Sequence, residues 1–122
     1  MELWINPACS KCRVAKAELD AAGITYTERR YLEDVPTEAE LEEVLTRMNL
    51  QPWDLARPKE TRDAGISLPK DAEHLEDWLV AMVAHPLTIQ RPIITADDGT
   101  TVVARDPQTL EDVVAKASGS PP

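Results

Sequence analysis

Residues 2–13 read "ELWINPACSKCR" and place two cysteines directly after a short apolar run. The run at residues 2–5 predicts a buried strand. Pro7 disfavours helical geometry in the residue before it, so the chain is expected to turn there. A helix then follows from about residue 10 to residue 22, because its apolar residues share one face and a glycine ends it. Cys9 is therefore predicted at the N-terminus of the first helix.

The next part of the chain predicts a second strand and then a helical middle. "ITYTERRYL" alternates well enough to be a strand, and strand, helix and strand make a right-handed βαβ unit if the strands are parallel. Thr37 and Glu40 form a capping box that opens a helix to about Met48. The rest of the middle predicts short helical turns around Trp53–Leu55 and Glu60–Ala64 and a helix from Asp71.

The C-terminal part predicts a hairpin and a last helix. "RPIIT" and "TVVA" flank Asp98-Gly99, a favoured two-residue turn in which glycine accepts a positive φ. "DPQTLEDVVAKA" predicts an amphipathic helix. The order of elements fits a thioredoxin-like fold of the α/β (α+β) class, with a small mixed β-sheet flanked by helices and an inserted helical region. One domain is expected over residues 1–117, with a flexible tail at residues 118–122.

Composition narrows the partners and the compartment. The net charge is −9, from 22 acidic residues against 13 Lys and Arg, so a nucleic acid would meet a repulsive field. No run of about 18 apolar residues predicts a membrane span, and no signal-peptide pattern opens the chain. We therefore expect a cytoplasmic protein with no nucleic-acid or membrane partner. A monomer is also expected, although composition does not determine the oligomeric state. In that compartment a CxxC pair is more often catalytic, redox-active or metal-binding than a structural disulfide.

The predicted position of Cys9 favours a reactive thiol. Unpaired N–H groups at a helix N-terminus favour a thiolate, which is the nucleophilic form of cysteine. Lys11 and Arg13 add positive charge nearby. The same end of the helix, at Ser10 and Lys11, can also hold an oxyanion. Cys12 lies one turn further on and is a candidate resolving thiol, at a spacing that permits a disulfide with Cys9.

The cysteine pair could instead bind a metal or simply pack in the core. A structural zinc site needs about four ligands, and only His74 and His85 remain besides carboxylates, so no metal is predicted. Simple packing of both thiols stays open. The chain has only 4 Gly and no Gly-rich phosphate loop, so no bound cofactor is expected.

Three segments together resemble the glutaredoxin-coupled arsenate reductases: "NPACSKCR", "YLEDVPTEAEL" and "HPLTIQRPII". The resemblance covers about residues 3–114 and keeps the order of the segments. It implies a catalytic cysteine at Cys9 and an oxyanion site formed by Arg57, Arg91 and Arg105. Guanidinium groups suit this role because they bind oxyanions with two parallel hydrogen bonds. The resemblance also makes Pro92 a candidate cis-proline facing the cysteine.

The resemblance implies a reaction as well. Cys9 would attack arsenate and form a covalent thio-arsenate, glutathione would serve as co-substrate, and glutaredoxin would complete the reduction to arsenite. Phosphate and sulfate would occupy the site as mimics. Cys12 could instead replace glutathione and leave a Cys9–Cys12 disulfide for glutaredoxin or thioredoxin. Two positions depart from the family: Ile5 stands where many members have His, and Cys12 is an additional cysteine in the loop.

A second hypothesis comes from the same superfamily. Spx, a transcription regulator that binds RNA polymerase, also carries a CxxC at this place. The pair would then be a redox-sensing disulfide switch rather than a catalytic site. A third hypothesis is a member of the family that reduces another thiol substrate, which the absence of the His at position 5 leaves open.

Overall fold

The chain forms two compact units in the computed structural model, which describes residues 1–119. The first unit joins residues 1–31 to the chain from Arg91 onward, and the second is residues 32–90. The predicted single domain over residues 1–117 stays a prediction, and most of the predicted tail lies outside the described residues. Within residues 1–119, no helix is both long and apolar enough to cross a membrane.

Four strands and six helices make up the described chain, together with two short 3-10 turns. The strands are β1 (Glu2–Ile5), β2 (Thr27–Arg30), β3 (Ile93–Thr95) and β4 (Thr101–Val103). The helices are α1 (Ser10–Ala21), α2 (Glu38–Met48), α3 (Pro52–Leu55), α4 (Pro58–Asp63), α5 (Leu75–Ala84) and α6 (Pro107–Ala117), and the 3-10 turns are Ala72–His74 and Pro86–Thr88.

The first unit contains the whole sheet, with strand order β2-β1-β3-β4. β1 pairs in parallel with β2, as the predicted βαβ unit requires, while β3 is antiparallel to both β1 and β4. The sheet is therefore mixed. Together with the helices and the helical insertion between β2 and β3, it has the arrangement of a thioredoxin-like fold, so the predicted fold class is confirmed.

One face of the sheet packs on α1 and α6. On α1 the buried residues Cys12, Ala15 and Leu19 are three and four positions apart, which places them on one side of the helix. Side chains alternate along a strand, so Leu3 and Ile5 share a face of β1. These residues form one buried cluster, completed by Ile94, Ala104 and Leu110. Cys12 is thus part of a hydrophobic core.

The second unit is helical and confirms the predicted capping box. The Glu40 N–H donates to Thr37 Oγ1 at 3.1 Å, and the Thr37 N–H donates to Glu40 Oε1 at 3.0 Å. α2 then runs to Met48, as expected. The helix expected from Asp71 differs: Asp71 caps a 3-10 turn, and the α-helix begins at Leu75.

The hairpin between β3 and β4 has a longer loop than the sequence predicted. The Ala96 N–H donates to the Thr100 carbonyl, so three residues lie between them rather than two. The Gly99 N–H also donates to the Ala96 carbonyl, and Gly99 has φ +91°. This is a turn closed by a glycine in left-handed geometry, the usual form of a three-residue hairpin loop. The Asp98-Gly99 prediction located the turn correctly but gave it one residue too few.

Candidate active site

The loop after β1 is held in place by Asn6. Asn6 is buried, and its side-chain Oδ1 accepts a hydrogen bond from the Ala8 N–H at 3.0 Å, while its backbone carbonyl accepts one from the Cys9 N–H at 2.9 Å. These bonds bring Cys9 to the N-cap position of α1 with extended backbone geometry, φ −84° and ψ 126°. The sulfur of Cys9 therefore lies at the N-terminus of α1, as predicted, and Cys9 is partly exposed.

The Cys9 thiol is adapted to ionise near neutral pH. Burial alone would raise its pKa, because it penalises the charged thiolate. Hydrogen bonds from the Cys12 backbone N–H, the Cys12 thiol, the Arg91 guanidinium and the Lys11 backbone N–H outweigh that penalty. The pKa of Cys9 is lowered to about 7. The helix N-terminus and a buried cation thus activate the thiol at the end of α1 where the sequence predicted it.

Cys12 has the opposite character. It is fully buried in the core cluster, and burial raises the pKa of its thiol to about 12. The neighbouring Cys9 contributes to this rise, both by accepting the hydrogen bond from Cys12 and through its charge, although the Asn6 backbone and the charge of Arg91 oppose it. Two neighbouring thiols thus have different states at neutral pH. Cys9 supplies the thiolate, and Cys12 stays protonated and donates to it.

Two of the three predicted arginines lie at Cys9. Arg91 is only 8% exposed, and its side chain hydrogen-bonds the Cys9 sulfur. Arg105 has Nη1 4.0 Å from Cys9 Sγ and donates from the same atom to the Arg91 carbonyl at 2.8 Å. The Arg91–Pro92 peptide bond is cis, which agrees with the expectation for Pro92.

The third predicted arginine, Arg57, belongs to the second unit. It occupies the N-cap position of α4. Its side chain pairs through Nε with the Glu60 carboxylate and donates from Nη1 to Gln90 Oε1 at 2.6 Å. The two units are described separately, so a role for Arg57 at the Cys9 site stays a prediction. Ser10 and Lys11 are exposed in the first turn of α1, and Lys11 acts on Cys9 through its backbone N–H.

Sequence reasoning missed Tyr31 as a site residue. Tyr31 is fully buried and shares a side-chain hydrogen bond with Arg91. A signal for it existed, because Tyr31 directly follows β2. The carboxyl ends of neighbouring parallel strands meet at one edge of a sheet, where binding sites of α/β folds commonly form. The same signal could have identified Asn6, which directly follows β1.

The assembled groups can bind and attack an anion. A thiolate, N–H groups of a helix N-terminus and two guanidinium groups lie within one unit. Positive charge placed there offsets the repulsion between a thiolate and an incoming oxyanion, and it stabilises negative charge on a departing group. Within the described residues 1–119, no group of three or more His, Cys, Asp or Glu side chains could hold a metal ion.

Comparison with known proteins agrees with this chemistry. A sequence model of the ArsC family matches residues 4–113. The chain is 51% identical over 119 residues to a Streptomyces viridochromogenes protein described as an uncharacterized protein in the glnII region, covering 95% of this chain and all of that one. It is 32% identical to an arsenate reductase of Rhizobium meliloti, over 98% of this chain and 84% of the relative.

More distant relatives include both an enzyme structure and a regulator. The solved structure of the arsenate reductase from Vibrio cholerae superposes with a TM-score of 0.80 at 27% identity, covering 93% of this chain and 98% of that one. The global transcriptional regulator Spx 2 of Bacillus cereus is 29% identical over 75% of this chain and 70% of its own length. The match across residues 4–113 decides the classification: the chain belongs to the ArsC family.

Proposed function

We propose that this protein is an arsenate reductase that uses Cys9 as its nucleophile. One observation carries the proposal: the Cys9 thiol has its pKa lowered to about 7 and is hydrogen-bonded by the start of α1 and by Arg91. Such a thiolate is present at neutral pH, beside cations that an arsenate ion requires. Relatives named arsenate reductase support this substrate.

In the proposed first step, the Cys9 thiolate attacks the arsenic of bound arsenate. An S–As bond forms, an As–O bond breaks, and the oxygen leaves as water after taking up a proton. Arsenic remains As(V) in this thio-arsenate. Arg91 and Arg105 hold the remaining oxygens, and their charge stabilises the departing oxygen.

In the proposed second step, another thiolate attacks the Cys9 sulfur. A disulfide forms, the S–As electron pair stays on arsenic, and As(V) becomes As(III), which leaves as arsenite. Glutathione is one candidate for the second thiol, with glutaredoxin then reducing the mixed disulfide. These donors belong to the reducing cytoplasm, which is the compartment we propose.

Cys12 is the other candidate for the second thiol. Its thiol already donates to the Cys9 sulfur, so no large movement is needed to bring the two together. Its pKa of about 12 opposes attack while Cys9 is a thiolate. Once Cys9 carries arsenic, the thiolate charge on its sulfur is gone, and the part of the pKa rise that this charge and its hydrogen bond cause is removed, while the larger part caused by burial remains. The product would be a Cys9–Cys12 disulfide for glutaredoxin or thioredoxin to reduce.

We also propose that Arg57 binds the arsenate oxyanion, as the family resemblance implies. In the structure its charge is paired with the Glu60 carboxylate. An arsenate ion would have to replace that carboxylate on Arg57. Phosphate and sulfate should compete for the same cations without being reduced, because thiols do not reduce phosphorus(V) or sulfur(VI) under these conditions.

The test is arsenite formation from arsenate by wild type, Cys9→Ser and Cys12→Ser. Each protein is supplied separately with glutathione plus glutaredoxin and with thioredoxin. Cys9→Ser should abolish turnover with every donor, and retained turnover would refute the assignment of Cys9 as the nucleophile. If Cys12→Ser works with glutathione, the single-cysteine route operates. If only wild type works, Cys12 is the resolving thiol.

A second candidate function is an Spx-like redox-sensing regulator. The contact between Cys9 and Cys12 favours it, because a switch also needs two thiols close enough to form a disulfide. The relatives named Spx support it too. Capture of RNA polymerase by the oxidised protein, together with no arsenite formation from any donor, would place this function ahead of arsenate reduction.

A further inference from the structure

We infer that Tyr31 is a positioning residue that holds Arg91 against Cys9 without cancelling its charge. The effect on Cys9 depends on the site geometry alone. Its consequence for arsenate binding rests on the function proposed above, so the two are tested by different measurements.

The topology brings Tyr31 to the site. β1 and β2 are parallel, and Ile5 pairs with Arg30 at their carboxyl ends. Tyr31 is the next residue after β2, while the loop that carries Cys9 follows β1. The Tyr31 ring is fully buried, and its hydroxyl is close enough to both cysteines to interact with them electrostatically.

The direction of the hydrogen bond follows from the groups. A guanidinium has donors only, so in the bond between Tyr31 and Arg91 the phenolic oxygen accepts. Arg91 in turn donates to the Cys9 sulfur. Tyr31 and Cys9 are thus both hydrogen-bonded to the same buried side chain, so the bond to Tyr31 helps to hold Arg91 where it stabilises the thiolate.

The phenol is suited to this place because it stays neutral. Burial raises the pKa of Tyr31 to about 12, although the charge of Arg91 opposes that rise. A carboxylate would also orient Arg91, but its charge would cancel the guanidinium and repel both the thiolate and an arriving anion. The chain contains that arrangement elsewhere, in the pair of Arg57 with Glu60. At Cys9 the neutral acceptor leaves the cation available.

The test compares Tyr31→Phe with Tyr26→Phe. The chain has only two tyrosines. Tyr26, like Tyr31, forms a side-chain hydrogen bond, in this case by donating to Asp20 Oδ1 at 2.6 Å. It precedes β2, however, and so lies at the opposite end of that strand from Tyr31. Each substitution removes one oxygen and keeps the ring. The rate of alkylation of Cys9 by iodoacetamide is followed against pH by mass spectrometry of its peptide, which requires no arsenate chemistry.

Tyr31→Phe should raise the midpoint of the Cys9 alkylation profile by about one pH unit, which lowers the rate at pH 7 about fivefold. The rates should converge at about pH 10, where Cys9 is ionised in all variants. Tyr26→Phe should match wild type. A Tyr31→Phe profile that coincides with wild type would overturn the inference, whether or not the protein reduces arsenate.

Two further measurements separate positioning from a general structural effect. In an Arg91→Gln background, Tyr31→Phe should shift the Cys9 profile no further, whereas a shift of equal size in both backgrounds would refute action through Arg91. In Tyr26→Phe, absorbance near 295 nm reports Tyr31 alone and should show no ionisation below about pH 11. Ionisation of Tyr31 below about pH 8, where Cys9 itself titrates, would refute the neutral acceptor even if Tyr31→Phe fails to fold. With arsenate, Tyr31→Phe should raise KM, provided the proposed function holds.

Discussion

Replacing Cys12 separates two roles that a second cysteine can have beside Cys9. Its thiol donates a hydrogen bond that helps to lower the pKa of Cys9 to about 7. Cys12→Ala removes the donor, whereas Cys12→Ser keeps an O–H donor at the same place and removes only the capacity to form a disulfide. The two variants should therefore differ in the ionisation of Cys9, although neither can resolve an adduct on it.

The size of the difference follows from the strength of the bond. A hydrogen bond to a charged group contributes roughly 1.5–3 kcal/mol net, and 1.36 kcal/mol corresponds to one pKa unit. Losing it should raise the pKa of Cys9 from about 7 to roughly 8–9. At pH 7 the thiolate fraction would fall from about one half to roughly 1–10%, so Cys9 would react about five- to fiftyfold more slowly.

Alkylation of Cys9 against pH measures this directly. Cys12→Ala should show the raised midpoint, and Cys12→Ser should remain near the wild-type profile. The buried Cys12 thiol should stay unmodified in wild type below about pH 10, because its own pKa is about 12. Identical profiles for wild type and Cys12→Ala would refute the reasoning, since they would mean that the helix N-terminus and Arg91 suffice without Cys12.

Three other substitutions test the site and the fold. Arg57→Gln should raise the KM for arsenate roughly tenfold or more. It should leave the Cys9 alkylation profile unchanged, because the groups that set the pKa of Cys9 lie in the other unit. A shifted alkylation profile would contradict this prediction. Leu19→Ala should cost about 2–5 kcal/mol in urea unfolding, because Leu19 is fully buried in the core on α1. Thr37→Ala should lower the free energy of unfolding by about 1 kcal/mol, because it breaks the capping box of α2. An unchanged urea midpoint would show that the cap does not stabilise the protein.

Much of the fold could be predicted because its signals are local. The apolar run of β1, the single buried face of α1 and the Thr37–Glu40 cap depend on residues close in sequence, and all appear where expected. The strand order could not be read in this way. Placing β3 beside β1 depends on pairing between Trp4 and Ile93, which are distant in sequence and carry no short-range signal.

The site residues show the same difference: local sequence signals could place Cys9, but not the residues that only the tertiary fold brings to it. Cys9 could be placed because a turn and a helix start within a few residues define its environment. The position of Tyr31 after β2 could have marked it as a site residue, but its contact with Arg91, two residues before β3, joins segments that are distant in sequence and was not predictable. Arg105 was predicted only through the resemblance. Its bond to the Arg91 carbonyl is likewise a product of the tertiary fold.

Cys9 and Cys12 differ in exposure and in ionisation, and these differences set the order of the steps in the proposed reaction. Cys9 is partly exposed and ionises near neutral pH, so anything that arrives from solution meets it first. Cys12 is fully buried, so its thiol reaches the Cys9 sulfur beside it rather than reagents in solution. Burial keeps its thiol protonated throughout, and the additional rise in pKa caused by the Cys9 thiolate is removed when Cys9 forms a covalent bond. A resolving thiol governed in this way would stay inactive until an adduct exists, which limits premature disulfide formation between the two cysteines.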